Sequence, residues 1–133
     1  MYLVDTNVLS EARRGSREAR TWFQSVDPNT VYLSIITLGE IMRGIALKRR
    51  TDARAAASLT VWLEQLRNNH AQRIFPISDR VALEWGRLAA ERPRGMADCL
   101  IAATASIHGK IIVTRNAADF MDTGIPVINP WQP

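Results

Sequence analysis

Cysteine is almost missing from this chain: Cys99 stands alone among 133 residues. One thiol excludes an internal disulfide framework and any zinc site built from several cysteines. Histidine is nearly as scarce, with only His70 and His108, which excludes a histidine-rich metal centre. No apolar run approaches the roughly 18–20 residues that a membrane-spanning helix needs. The opening Met1-Tyr2-Leu3-Val4-Asp5 has neither the basic segment nor the apolar stretch of a secretion signal, so a soluble cytoplasmic protein is expected, with no membrane partner. Lysine is scarce too: arginine supplies 15 of the 17 basic residues, and Lys48 and Lys110 are the rest.

What is present points to a folded chain. Apolar residues make up 47% of the sequence and charged ones 23%, which is not the composition of a disordered segment. The length predicts one domain spanning residues 1–133 with a core of its own. The formal charge is 17 − 13 = +4. That balance permits nucleic acid as a partner without requiring it. The arginine bias adds a planar donor fork suited to phosphate, although a solvated surface in a biased genome has the same composition.

Apolar runs alternate with helical patterns. Residues 2–5, 31–34, 73–77, 111–114 and 127–129 read as strands, the third demoted to an edge by Pro76. Helices are expected over 8–14, 17–25, 37–49, 52–69, 79–91 and 97–108, the last apolar nearly all round and stopped by Gly109. A short turn over 117–120 precedes the fifth strand. This alternation predicts an α/β fold: a central five-stranded, mostly parallel sheet flanked by helices.

The 13 acids can be placed one by one. Most lie beside arginines on polar helix faces. Asp5, Glu40 and Asp98 do not: they sit in apolar sequence, where a carboxylate is costly unless it is paired or bound to a cation. Asp119 follows the fourth strand. Each has a plain structural use as well. Asp5 fits a helix cap, Thr37-x-x-Glu40 fits a capping box, Asp98 suits a helix dipole, and Asp119 suits a cap or the solvent. Together they say more. In an open parallel sheet the crevice lies beyond the carboxyl ends of the strands, and all four acids are expected at that edge. A hard divalent cation, Mg²⁺ or Mn²⁺, is the ion that a nest of carboxylate oxygens would hold. Such ions can activate a water and stabilise the leaving oxygen of a phosphodiester.

Three segments carry a family resemblance. The opening YLVDTNVLSE, the segment VYLSIITLGEIMRGI with its S-x-x-T-x-x-E pattern, and MADCLIAATASIHGKIIVTRNAADF resemble the PIN-domain family, in particular the VapC toxins of type II toxin–antitoxin pairs. The close GIPVINPW is similar to the FitB branch. The resemblance covers essentially the whole chain. It implies a metal-dependent endoribonuclease with Asp5, Glu40, Asp98 and Asp119 as catalytic acids. Asp5 and Asp98 would hold the principal Mg²⁺, with Mn²⁺ as an alternative ion. Family members vary at the fourth acid: some place it directly after Thr-Arg, where this chain has Asn116, and others three residues on, at Asp119. Thr6, Asn7, Thr114 and Asn116 would orient the carboxylates. Arg13, Arg14, Arg43 and Arg115 are candidates for RNA phosphate contacts. The resemblance also implies a VapB- or FitA-like antitoxin, a homodimer within a toxin–antitoxin hetero-oligomer, and operator DNA reached only through the antitoxin. Leu47 and Trp62 are candidates for lining an antitoxin groove. Trp22, Trp62, Trp85 and Trp131 are the rings that could stack on bases, although helical spacing places Trp22 and Trp85 in the core.

Rival readings are a PIN protein that has lost cleavage and acts with its partner on DNA, a receiver domain, and a haloacid-type phosphatase. A receiver would want an acidic pair before the first helix and a late Lys. The phosphatase would want an Asp where Asn7 stands.

Overall fold

The computed structural model describes residues 1–132. Strand β1 (Tyr2–Val4) leads into α1 (Thr6–Arg13) and α2 (Arg17–Gln24), and a 3-10 turn (Pro28–Thr30) precedes β2 (Val31–Ser34). Then come α3 (Ile35–Arg49), α4 (Ala53–Asn69), β3 (Ile74–Phe75), α5 (Asp79–Glu91), α6 (Met96–His108) and β4 (Ile111–Val113). A second 3-10 turn (Ala117–Phe120) and β5 (Val127–Ile128) complete the order. The strands form one sheet in the order β3-β2-β1-β4-β5, with every pairing parallel. The expected α/β architecture is therefore present, and its sheet is wholly parallel.

Period-two alternation along each strand divides the core in two. Val4, Val31, Leu33 and Val113 face α1, α2, α3 and α4, packing with Val8, Trp22, Ile45 and Leu63. Leu3 and Ile112 face the other way, onto Val81, Leu88 and the buried stretch Ile101–Ala103 of α5 and α6. Leu3 pairs with Tyr32 on one side and Ile112 on the other, so β1 is the spine of both layers. No helix among the described residues is long and apolar enough to cross a membrane.

Two local details matter for the site. Helix α3 starts two residues earlier than the expected 37, capped by Ser34 Oγ on the Ile36 N–H at 3.0 Å. Thr37 therefore does not cap, the capping box does not form, and Glu40 stands in the second turn with its carboxylate free for other partners. Helix α6 starts at Met96 behind Gly95, which offers no side-chain cap, and its first-turn Asp98 is uncommitted to capping. The predicted edge strand 73–77 shrinks to Ile74–Phe75, as expected where Pro76 cannot donate to a ladder.

Candidate active site

Parallel strands deliver their carboxyl ends to one edge, and three of those ends build the site. Asp5 follows β1 and caps α1, its Oδ1 accepting from the Thr6 N–H at 2.8 Å. Its Oδ2 accepts from the Thr114 hydroxyl at 2.8 Å and from Asn7 Nδ2 at 3.2 Å. Thr114 is itself fully buried at the end of β4. Asp5 is only 4% exposed. The capping use is thus realised by Oδ1, while Oδ2 is held by Thr114 and Asn7.

Glu40 is brought to Asp5 through Thr6, whose hydroxyl donates to Glu40 Oε1 at 2.7 Å and lies 3.1 Å from the Thr37 hydroxyl. Asn7 ties the site to the loop after β4: its Oδ1 accepts from the Arg115 N–H at 3.1 Å. Asn116 contributes through its backbone, donating its N–H to Thr114 Oγ1 at 3.1 Å. Asp98, half-buried, makes no hydrogen bond among the described residues and shares a cavity of about 220 Å³ with Asp119.

Electrostatics joins the four acids. Burial pushes the Asp5 carboxyl from an ordinary 3.8 up to about 6. The Thr114 and Thr6 hydrogen bonds oppose that rise, and the charges of Asp98 and Glu40 add to it. Asp98 is raised as well, by burial first and then by Asp119 and Glu40. Every charge that bears on these two groups is another carboxylate, and none of the four acids forms an ion pair among the described residues. They are near neighbours rather than a closed cage. Among the described residues no three metal-capable side chains gather into one ligand set.

The predicted arginines divide into two kinds. Arg13 and Arg14 lie at the end of α1 and line a groove of about 590 Å³ that also reaches Thr6, Glu40 and Trp62. Arg13 lies over the Trp62 ring at 5.6 Å, whereas Arg14 is ion-paired with Glu11. Arg115 lies over Trp131 at 4.8 Å. Arg43 is exposed on α3, one turn beyond Glu40. Trp62 is half-buried and separates that groove from a second one of about 620 Å³, while Leu47 is exposed on α3 and lines neither.

Sequence reasoning missed Arg92 and Arg94. They line the Asp98–Asp119 cavity and pair with Asp122, Arg92 at 2.8 Å and Arg94 at 3.4 Å. The Arg94 side chain is 4% exposed, and its Nε and Nη1 have no hydrogen-bond partner among the described residues. The segment Pro93-Arg94-Gly95 reads as a helix breaker. Its signal was two arginines flanking a proline just ahead of an acid in apolar sequence.

This fold, with acids gathered at the carboxyl edge of its sheet, defines a class. Residues 2–124 match the PIN domain family, and the chain belongs to it. Over its whole length it is similar to VapC ribonuclease Y4jK of Sinorhizobium fredii, 34% identical across 100% of this chain and 99% of the relative. It is also 34% identical to Toxin FitB of Neisseria gonorrhoeae, across 98% of this chain and 99% of that one. Among solved structures, FitAcB from Neisseria gonorrhoeae matches with a TM-score of 0.90 at 33% identity, covering 100% of both chains. A structure of FitAB bound to a DNA fragment matches at 0.89 and 32% identity, covering 100% of this chain and 97% of that one.

Proposed function

We propose that the protein is a divalent-metal-dependent endoribonuclease acting as the toxin of a toxin–antitoxin pair. The observation that carries this is the buried Asp5, held by three hydrogen bonds and surrounded by the charges of other carboxylates alone. Such an arrangement favours a cation from outside the chain. The donor set fits a hard ion: all its charged groups are carboxylate oxygens, with no cysteine or histidine in it. Two direct carboxylates with waters in the other positions suit Mg²⁺ better than a full protein cage does. Asp5 and Asp98 would be those two ligands, and Glu40 and Asp119 would act through water. When bound, the ion supplies Lewis-acid activation of the attacking water and neutralises charge on the phosphate.

The chain's own residues do the positioning. Thr6, Asn7 and Thr114 fix the Asp5 oxygens before any ion arrives, and Thr6 fixes Glu40. Arg13, at the end of α1, and Arg115, after β4, carry guanidinium groups that make no hydrogen bond among the described residues and are ready for RNA phosphates. The groove between α1, α3 and α4 takes the tail of a FitA- or VapB-like antitoxin, a reading supported by the complexes named FitAB among the structural relatives.

The deciding experiment compares the purified protein with Asp5→Asn on an RNA substrate in Mg²⁺. Cleavage by the parent chain and none by the folded variant is expected. Equal cleavage by both would sink the proposal. The rival of a PIN protein that no longer cleaves predicts no Mg²⁺ heat at the acidic edge in calorimetry, whereas the nuclease predicts binding that Asp5→Asn removes.

A further inference from the structure

Arg115 differs from the other arginines of this chain in how it is held. Its backbone is pinned from both sides: the N–H donates to Asn7 Oδ1 at 3.1 Å, and the carbonyl accepts from Asn129 Nδ2 at 3.2 Å. The neighbouring Thr114 donates to Asp5, so this pinned residue is one peptide from the acid site. Asn129 also orders the residues after it, because its Oδ1 accepts from the Trp131 N–H at 2.9 Å. That bond places the indole ring beneath the Arg115 guanidinium, with Cζ 4.8 Å from the ring centroid.

The guanidinium itself is half-exposed and makes no hydrogen bond among the described residues. Its nearest charge, Glu11 Oε2, lies 3.9 Å from Nη1, too far for a hydrogen bond. A guanidinium stacked on a ring spends its face and keeps its edge, where the N–H donors are. Arg13 over Trp62 is the other such pair, but it sits at the far end of α1 and has no link of this kind to Asp5.

We propose that Asn129 and Trp131 are positioning residues for Arg115, and that the segment 129–131 thereby sets the affinity for the RNA backbone beside the acid site. The inference rests on the nuclease reading above. The ring holds the planar fork in one orientation, which lowers the freedom lost when a phosphate is bound in bidentate fashion. Asn129 couples the end of β5 to the end of β4, so the ring and the guanidinium are set by the sheet rather than by a loose chain end.

The test is a double-mutant cycle on KM for a single-stranded RNA oligonucleotide in Mg²⁺, with binding of that oligonucleotide to Asp5→Asn protein measured across salt concentrations. Arg115→Ala should raise KM about tenfold, leave kcat within about twofold, and reduce the salt slope of binding by about 0.7, the value for one phosphate on a single strand. Trp131→Leu should raise KM about threefold to fivefold, and Trp131→Phe, which keeps a ring in the same packing, should do so less. In the Arg115→Ala background Trp131→Leu should change KM no further, because the ring acts only through the guanidinium. Additive effects of the two substitutions would overturn the inference, since ring loss would then act by itself. An Arg115→Ala variant with the parent's KM and salt slope would overturn it too, and the nuclease reading would stand. A parent protein that neither binds nor cuts RNA would overturn both.

Discussion

The two carboxylates proposed as direct metal ligands, Asp5 and Asp98, are built in opposite ways. Asp5 is buried and held by three donors, a backbone N–H, a buried hydroxyl and an amide, with a lone pair of Oδ1 left open. Asp98 is half-buried in the first turn of a helix that no side chain caps, and it has no hydrogen-bond partner among the described residues. The difference teaches that one carboxylate of this edge is immobilised by its donors and carries a desolvation penalty, whereas the other keeps its freedom. In the proposed metal site, Asp98 would be the ligand that adjusts to the ion.

The largest expected effect is on stability without metal. Asp5 is raised from an ordinary 3.8 to about 6, so the folded state binds its proton more tightly than the unfolded state does. The contribution is fully present below pH 3.8 and is lost as pH rises through 6. Above that window the charged Asp5 costs about 3 kcal/mol. Asp5→Asn keeps a capping oxygen and removes the charge. Thermal melts of metal-free protein should therefore show a higher midpoint for the variant at pH 7, and equal midpoints near pH 4. A variant less stable at pH 7 would show that the hydrogen bonds, not desolvation, dominate this side.

Next in size is the support around Asp5. Thr114→Val removes the buried hydroxyl and should weaken Mg²⁺ binding by about 10–100-fold, the usual loss when a partner that orients a ligand is removed. Calorimetric titration with Mg²⁺ measures it, and affinity equal to the parent's would erase the distinction between a fixed and a free ligand. Asp98→Asn should raise the metal-free midpoint at pH 7 in the same direction as Asp5→Asn but by less, because Asp98 is only half-buried. The smallest effect is expected beside Asp98. Arg94→Met removes two unpartnered buried donors together with weak pairing to Asp122 and Glu91, so unfolding in urea should change by less than about 1 kcal/mol. A loss well beyond that would mean that Arg94 anchors the free side after all.

Much of the fold was legible because strands and helices announce themselves by period. Tyr2–Val4, Val31–Ser34 and Ile111–Val113 are apolar runs bounded by turns or acids, and they pair side by side. The start of α3 was misplaced for a physical reason: Ile35 and Ile36 are β-branched and extend the look of a strand, whereas the Ser34 hydroxyl starts the helix there. Among the site residues, Asp5, Glu40 and Asp98 stood out as acids in apolar sequence. Thr6, Asn7 and Thr114 came from the family resemblance, and each is hydrogen-bonded to Asp5 or Glu40. Asn129 gave no signal, Trp131 stood only among four candidate rings and Arg94 only in a helix-breaking segment, because a guanidinium lacking partners or resting on a ring is a property of its surroundings.

The sequence by itself determined the composition of the site. With one cysteine and two histidines, and with acids set into apolar runs, it leaves carboxylate oxygens as the charged donors at this edge, the donors that suit the hard cation proposed above. It also pointed to a mostly parallel layering, because helical segments between strands are the crossovers that parallel pairing needs. Tertiary structure alone decided which acid is fixed and which is free. Residues 5 and 114 are far apart in the chain, and the 2.8 Å bond between them exists because β1 and β4 are neighbours in the sheet. Hydrogen bonds act over a few ångströms, so a side chain's partners are set by strand order, which lies beyond any local pattern of residues.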